Sequence, residues 1–146
     1  MRHAELSELA TPSVKAGDVV FVYGTLRKGQ KADITRSNEV EFIEDDAVNG
    51  VMTCGMYFPT VKLVGDSFTG DKPIVVGESY AALSDTVGTN LDWYEGHPTL
   101  FLRKRVMTAK GYLAWVYEYQ HSTGSLDKIP SGDWAKHTEK RVCQWK

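Results

Sequence analysis

The stretch Val20–Arg27, with the sequence VFVYGTLR, decides how the rest of the chain is interpreted. Val19 to Val22 form a run of apolar, β-favouring residues, which is typical of a short and fully buried strand. The run ends at Tyr23-Gly24, where the chain must turn and where consecutive backbone N–H groups lose their partners in a sheet. Such groups can converge on an anion or on a developing negative charge. The residues alone equally allow a simpler interpretation, in which a core strand ends at this point.

The composition indicates an ordinary globular protein. The chain has 146 residues, of which 42% are hydrophobic and 25% charged, and this length favours one domain with a proper core. A net charge of −2 gives no electrostatic reason to expect nucleic acid or a membrane surface as a partner. Met1–Gly17 carries charges throughout and lacks an apolar stretch of signal-peptide length. We therefore expect a soluble, cytoplasmic protein that binds neither nucleic acid nor a membrane; the sequence predicts no particular oligomeric state.

The pattern along the chain predicts a flexible N-terminal extension over residues 1–18 and a single domain over residues 19–146. Short helices are expected over residues 31–37 and from Trp134 onward. Strands outnumber helices and their connections are short, which favours an α+β fold built on a small, mixed, largely antiparallel sheet. Closing this sheet into a β-barrel would hide the strand edges. The predicted strands cover residues 19–22, 40–46, 48–57, 61–64, 74–82, 100–108 and 112–119, with a polar turn between the second and the third.

One segment has a strong helical pattern, and it ends at an acid. Ser84 or Asp85 can cap its N-terminus, and Gly96 stands where a left-handed C-terminal cap belongs. Glu95 closes the helix, so the negative end of the helix dipole raises its affinity for a proton. A carboxylate tuned in this way suits a general base working near neutral pH. The simpler interpretation is a solvated carboxylate at a helix end.

Other candidate groups have weaker patterns. Leu113, Trp115, Tyr117 and Tyr119 alternate along one predicted strand and should face the core or a pocket. The two cysteines are too few for a disulfide framework, and Cys54 has no histidine at a spacing that indicates a nucleophile pair. The four histidines are scattered, so we expect no metal and no cofactor. The acidic residues between 39 and 46 are assigned to solvent.

The opening stretch resembles the Tyr-Gly-Ser/Thr-Leu signature loop of the γ-glutamylcyclotransferase-like (AIG2-like) family, and other segments agree with it in the family order. Phe101 departs from the pattern, because tyrosine is usual two positions before the arginine. The matching segments span nearly the whole predicted domain. They are Leu91–Gly96 (family pattern Leu-Asp-x-x-Glu-Gly), Arg103, Ala114–Tyr117 (Ala-Trp-x-Tyr) and Ser131–Trp134 (Ser-Gly-Asp-Trp).

The resemblance implies a small mixed barrel in which the loop and Glu95 meet across one cavity. It also implies cyclisation of a γ-glutamyl amide to 5-oxoproline with release of an amine, Glu95 serving as the general acid and base. The implied partner is a small γ-glutamyl compound, either a γ-glutamylamine or a γ-glutamyl peptide. The alternative is a non-catalytic member of the same fold that binds a small metabolite or has a regulatory role. The substrate-binding residues implied by the resemblance are Tyr23, Gly24, Thr25, Leu26 and Tyr117.

Overall fold

The structure is a computed structural model that describes residues 13–55 and 57–139. The described residues contain six strands, two α-helices and a single 3-10 turn at Ile34–Arg36. No helix within these ranges is both long enough and apolar enough to cross a membrane. The strands are β1 (Val19–Val22), β2 (Val40–Cys54), β3 (Pro59–Leu63), β4 (Ile74–Ala82), β5 (Phe101–Met107) and β6 (Leu113–Tyr119). The helices are α1 (Thr86–Glu95) and α2 (Trp134–Glu139).

The six strands form one mixed sheet in the order β3-β2-β4-β1-β6-β5. Only the β1–β6 pair is parallel among these strands; the other neighbouring pairs are antiparallel. The sheet forms a half-barrel accompanied by few helices. The predicted α+β class, with a mixed and largely antiparallel barrel-like sheet, is confirmed.

The sheet buries side chains on both of its faces. In β6, Ala114 and Val116 belong to one apolar cluster, while Trp115 and Tyr117 belong to the other. The prediction for this strand is therefore right for Trp115 and Tyr117 but wrong for Leu113, which is half-exposed. β1 is likewise divided between the two clusters, as its continuous apolar run indicates. Burial on both faces fixes the end of β1, and with it the start of the loop that follows.

The predicted turn between residues 46 and 48 does not exist, because β2 is one continuous strand. A bulge between Phe42 and Glu44 shifts the register of β2 against β4 without ending the strand. Asp46, assigned to solvent from the sequence, is buried and accepts hydrogen bonds from Ser79 Oγ and from the backbone N–H of Lys110. These donors satisfy the carboxylate inside the fold, so the strand continues through it.

The predicted N-terminal extension, residues 1–18, lies outside the described residues up to residue 12. Its described end is packed: Val14 is 1% exposed, and Asp18 Oδ2 accepts a hydrogen bond of 3.1 Å from Trp115 Nε1. Val14 also explains a glycine inside α1, since a Cβ at Gly88 would lie 2.7 Å from the Val14 carbonyl oxygen. The packed fold thus reaches back at least to Val14.

The C-terminal end of α1 follows the prediction, and at its N-terminal end Asp85 occupies the predicted cap position without acting as a cap. Gly96 adopts the left-handed conformation, with φ of 65°, and its N–H bonds back to the Trp93 carbonyl. Asp85 makes no capping hydrogen bond and instead accepts one from the Ala16 N–H. Thr86 Oγ1 donates to the Glu39 carboxylate, so a residue preceding β2 holds the first turn of α1.

Candidate active site

A cavity of about 480 Å³ lies where the loop after β1 faces the C-terminal end of α1. All six site residues predicted from the sequence line this cavity, although they come from three separate parts of the chain. The roles assigned to them individually remain predictions. The six are Tyr23, Gly24, Thr25, Leu26, Glu95 and Tyr117.

The loop residues Gly24, Thr25 and Leu26 present unpaired backbone donors. Their carbonyl groups are occupied, since they accept hydrogen bonds from the N–H groups of later residues in the loop. Within the described parts of the chain, no acceptor is found for the N–H groups of these three residues. A row of unpaired N–H groups at a cavity wall can bind a carboxylate or stabilise negative charge on a carbonyl oxygen.

Close packing holds the loop in place at both of its ends. A Cβ at Gly24 would lie 2.6 Å from the Pro59 Cγ atom, so glycine is required here by the approach of β3. At the other end, Arg27 Nε donates to Glu78 at 2.7 Å and Arg27 Nη1 donates to Asp133 at 3.0 Å. These ion pairs are largely buried, so removing one partner would leave a charge uncompensated.

Burial raises the pKa of Glu95 to about 7. The sequence predicts this direction but attributes it to the helix dipole, whereas in the structure the cause is removal of the carboxylate from water. No hydrogen bond or ion pair to the Glu95 side chain occurs among the described residues. A carboxyl group with a pKa near neutrality and no fixed partner can accept and return a proton.

A chain of hydrogen bonds connects the loop to α1 through β6. The Tyr23 hydroxyl donates to the Tyr117 carbonyl at 2.6 Å, and the Tyr117 hydroxyl donates to Asp92 Oδ1 at 2.5 Å. Arg103 Nη1 donates to the other oxygen of Asp92 at 2.5 Å. Burial, together with the Glu95 charge, raises the pKa of Tyr23, so this hydroxyl stays protonated as a donor.

Part of the cavity wall was not predicted as a site. Phe58 and Pro59 fall between the predicted strands 48–57 and 61–64, and Phe101 enters the prediction only as a departure from the family pattern, yet all three line the cavity. Lys31 contributes the one cation among the residues that line the cavity, and it makes no ion pair within the described ranges. No local periodicity marks these residues, because Pro59 of β3 approaches the loop after β1, and Phe58 contacts Phe101 of β5, only in the folded protein.

Cys54 and His137 lie close together, which their spacing in the sequence does not indicate. Cys54 Sγ is 3.5 Å from His137 Nε2. Cys54 is buried in the apolar cluster that also contains Val48 and does not line the cavity with Glu95. Within residues 13–55 and 57–139, no three His, Cys, Asp or Glu side chains come together as a metal site would require.

Comparisons with known proteins agree with this geometry. The family model described as "Gamma-glutamyl cyclotransferase, AIG2-like" matches residues 20–136. The "Putative gamma-glutamylcyclotransferase MJ1514" of Methanocaldococcus jannaschii is 32% identical over 123 residues, which cover 80% of this chain and 95% of that protein.

Solved structures show the same fold. An AIG2-like protein from Mus musculus superimposes with a TM-score of 0.68 at 16% identity, covering 89% of this chain and 97% of that one. The uncharacterized protein PH0828 from Pyrococcus horikoshii gives a TM-score of 0.65 at 22% identity, covering 84% of this chain and 94% of that one. The match of the family model over most of the chain shows that this protein belongs to the γ-glutamylcyclotransferase, AIG2-like family.

Proposed function

We propose that this protein converts a γ-glutamyl amide into 5-oxoproline and a free amine, with Glu95 moving the protons and the Tyr23–Leu26 loop holding the γ-glutamyl group. The observation that carries the proposal is the position of Glu95. Its carboxyl group, with a pKa of about 7, lines the same cavity as the unpaired N–H groups of the loop. The name of the Methanocaldococcus jannaschii relative supports the same class of reaction.

The substrate supplies its own nucleophile. The α-amino nitrogen attacks the γ-carbonyl carbon and closes a five-membered ring, and the amide C–N bond then breaks. Glu95 takes a proton from the attacking nitrogen and gives one to the leaving nitrogen, so the carboxylate is regenerated. No water molecule is consumed. The reaction therefore requires no serine or cysteine nucleophile, and among the described residues that line the cavity neither type occurs.

The remaining requirements are geometric. The γ-glutamyl chain must be held curled, because ordering the two reacting ends in advance removes several kcal/mol of the barrier. The open N–H groups of Gly24, Thr25 and Leu26 suit either the α-carboxylate or the oxygen of the γ-carbonyl as its charge develops. The pKa of Glu95, near neutrality, allows the same group to serve as base and then as acid.

The test is to incubate the protein with a panel of γ-glutamyl compounds and to measure 5-oxoproline. We expect release from at least one compound, and loss of that release in Glu95→Gln, whose circular dichroism spectrum should stay unchanged. Glu41→Gln is the matched control, since Glu41 is exposed and lies in β2 outside the cavity. Binding of these compounds without turnover would favour the non-catalytic, metabolite-binding alternative. Equal rates in the wild type and in Glu95→Gln would show that Glu95 is not the acid and base.

A further inference from the structure

A second cavity, of about 670 Å³, adjoins the first. The two share part of their walls: Leu26, Ala32, Leu91 and Tyr94 line both. Tyr94 also connects the loop to the helix, because its hydroxyl lies 2.8 Å from Thr25 Oγ1. Leu26 is partly exposed and Tyr94 is 45% exposed, so neither side chain at the boundary between the cavities is enclosed by the protein. A molecule reacting beside Glu95 can therefore extend into the second cavity.

The second cavity offers an apolar surface. Ile34, Val87 and Leu91 are buried and form its inner wall. Trp93 also lines this cavity and is 85% exposed. A tryptophan left so exposed, one residue from Tyr94 and two from Glu95, does not serve the packing of the fold. Exposed aromatic surface beside a cavity is characteristic of a place where an apolar group binds.

The acids at this cavity accept hydrogen bonds from nearby donors, whereas no ion pair among the described residues involves the cations beside it. Asp33 accepts hydrogen bonds from the N–H groups of Gly29 and Thr35, and Glu39 is held by hydroxyl groups at the start of α1. Lys31 lines the first cavity and Arg36 the second, and Arg36 Nη1 lies 3.4 Å from the Lys31 carbonyl oxygen. Neither side chain forms an ion pair within the described residues.

We propose that the second cavity binds the group released from the γ-glutamyl moiety, and that this group is large and apolar and bears a carboxylate that Lys31 and Arg36 attract. This inference rests on the proposed function and specifies its substrate class. The reaction is unchanged: ring closure breaks the amide bond, Glu95 protonates the leaving nitrogen, and an amino acid with an apolar side chain departs. The apolar side chain contacts Trp93 and the buried inner wall.

Three substrates and four variants test this assignment. The substrates are γ-glutamylphenylalanine, γ-glutamylphenethylamine, which lacks only the carboxylate, and γ-glutamylglycine, which lacks only the aromatic side chain. We expect kcat/KM for γ-glutamylphenylalanine to exceed that for γ-glutamylglycine by about tenfold, and Trp93→Ala to reduce this ratio. Trp93 is so exposed that its truncation should leave the fold intact.

Lys31→Met and Arg36→Met test the carboxylate. Each should lower kcat/KM for γ-glutamylphenylalanine by a factor about five times larger than the factor for γ-glutamylphenethylamine, as expected for a partly exposed charge pair. Lys28→Met is the matched control, because Lys28 is an exposed lysine of the same segment that lines neither cavity.

The outcomes separate this inference from the proposed function. If γ-glutamylglycine is cyclised as efficiently as γ-glutamylphenylalanine, the second cavity does not bind the leaving group, although the reaction stands. If Lys31→Met and Arg36→Met lower kcat/KM by the same factor for γ-glutamylphenylalanine and for γ-glutamylphenethylamine, these two side chains do not bind the carboxylate. If none of the three compounds yields 5-oxoproline with the wild type, the proposed function and the inference fail together.

Discussion

At alkaline pH, the variant Glu95→Gln should have a higher free energy of unfolding than the wild type. Burial raises the pKa of this carboxyl group from 4.5 to about 7, so the folded state holds the proton more tightly than the unfolded state does. The corresponding contribution to stability is complete below pH 4.5 and is lost as the pH rises through about 7. The full difference amounts to roughly 3 kcal/mol, and water in the open cavity should reduce it to about 2 kcal/mol. Glutamine carries no charge and avoids this loss.

The assay is urea unfolding of the wild type, Glu95→Gln and Glu41→Gln at pH 5 and pH 8.5. Glu95→Gln should be nearly as stable as the wild type at pH 5, and at pH 8.5 its free energy of unfolding should be higher by about 2 kcal/mol. Glu41 is exposed, so its variant should follow the wild type at both pH values. If the wild type and Glu95→Gln change in parallel with pH, the Glu95 carboxylate is not buried, and the argument for its role as a base near neutral pH is refuted.

Three further predictions follow from the same site. kcat/KM should rise with pH through an apparent pKa near 7, because Glu95 must be deprotonated to accept a proton; a flat profile between pH 5.5 and 8.5 would contradict this. Gly24→Ala should raise KM for a γ-glutamyl substrate about tenfold or more, since the added Cβ overlaps Pro59. In the control Gly70→Ala the added Cβ meets nothing within 4 Å, so KM should not change; equal effects in the two variants would show that the loop conformation does not matter. Tyr117→Phe should lower the free energy of unfolding by about 1 kcal/mol through loss of its buried hydrogen bond, measured by urea unfolding; an unchanged midpoint would mean that this bond does not help to hold α1 against β6.

The fold was predictable where the signals are local. The β-branched run of β1 and the glycine after α1 each report on the conformation of their own few residues, and both predictions are confirmed. The prediction wrongly divides β2 into two strands between residues 46 and 48, because Asp46 is a residue type that is common in turns. Its burial depends on Ser79 and Lys110, which follow it by 33 and 64 positions. No pattern within a strand can indicate donors that arrive from so far along the chain.

The sequence predicts the candidate site where motifs mark its residues, and not where the site depends on distant parts of the fold. Motifs identified the loop and Glu95, and the structure places both on one cavity. The sequence did not indicate why the pKa of Glu95 rises, because its burial depends on walls supplied by other parts of the fold. It also missed Lys31, which lies at the start of a predicted short helix, and Pro59, which lies between two predicted strands. The approach of β3 to the loop, which leaves no room for a Cβ at position 24, follows from the register of the sheet.

Cyclisation of a γ-glutamyl group without the use of water is the reaction we propose for this cavity. It is tested most directly by running the reaction with a γ-glutamyl substrate in water enriched in ¹⁸O and analysing the products by mass spectrometry. Cyclisation predicts equal amounts of 5-oxoproline and free amine, with no ¹⁸O in the 5-oxoproline and no product formed by Glu95→Gln. Release of ¹⁸O-labelled glutamate in place of 5-oxoproline would mean that water is the nucleophile, and the cyclisation mechanism would be wrong.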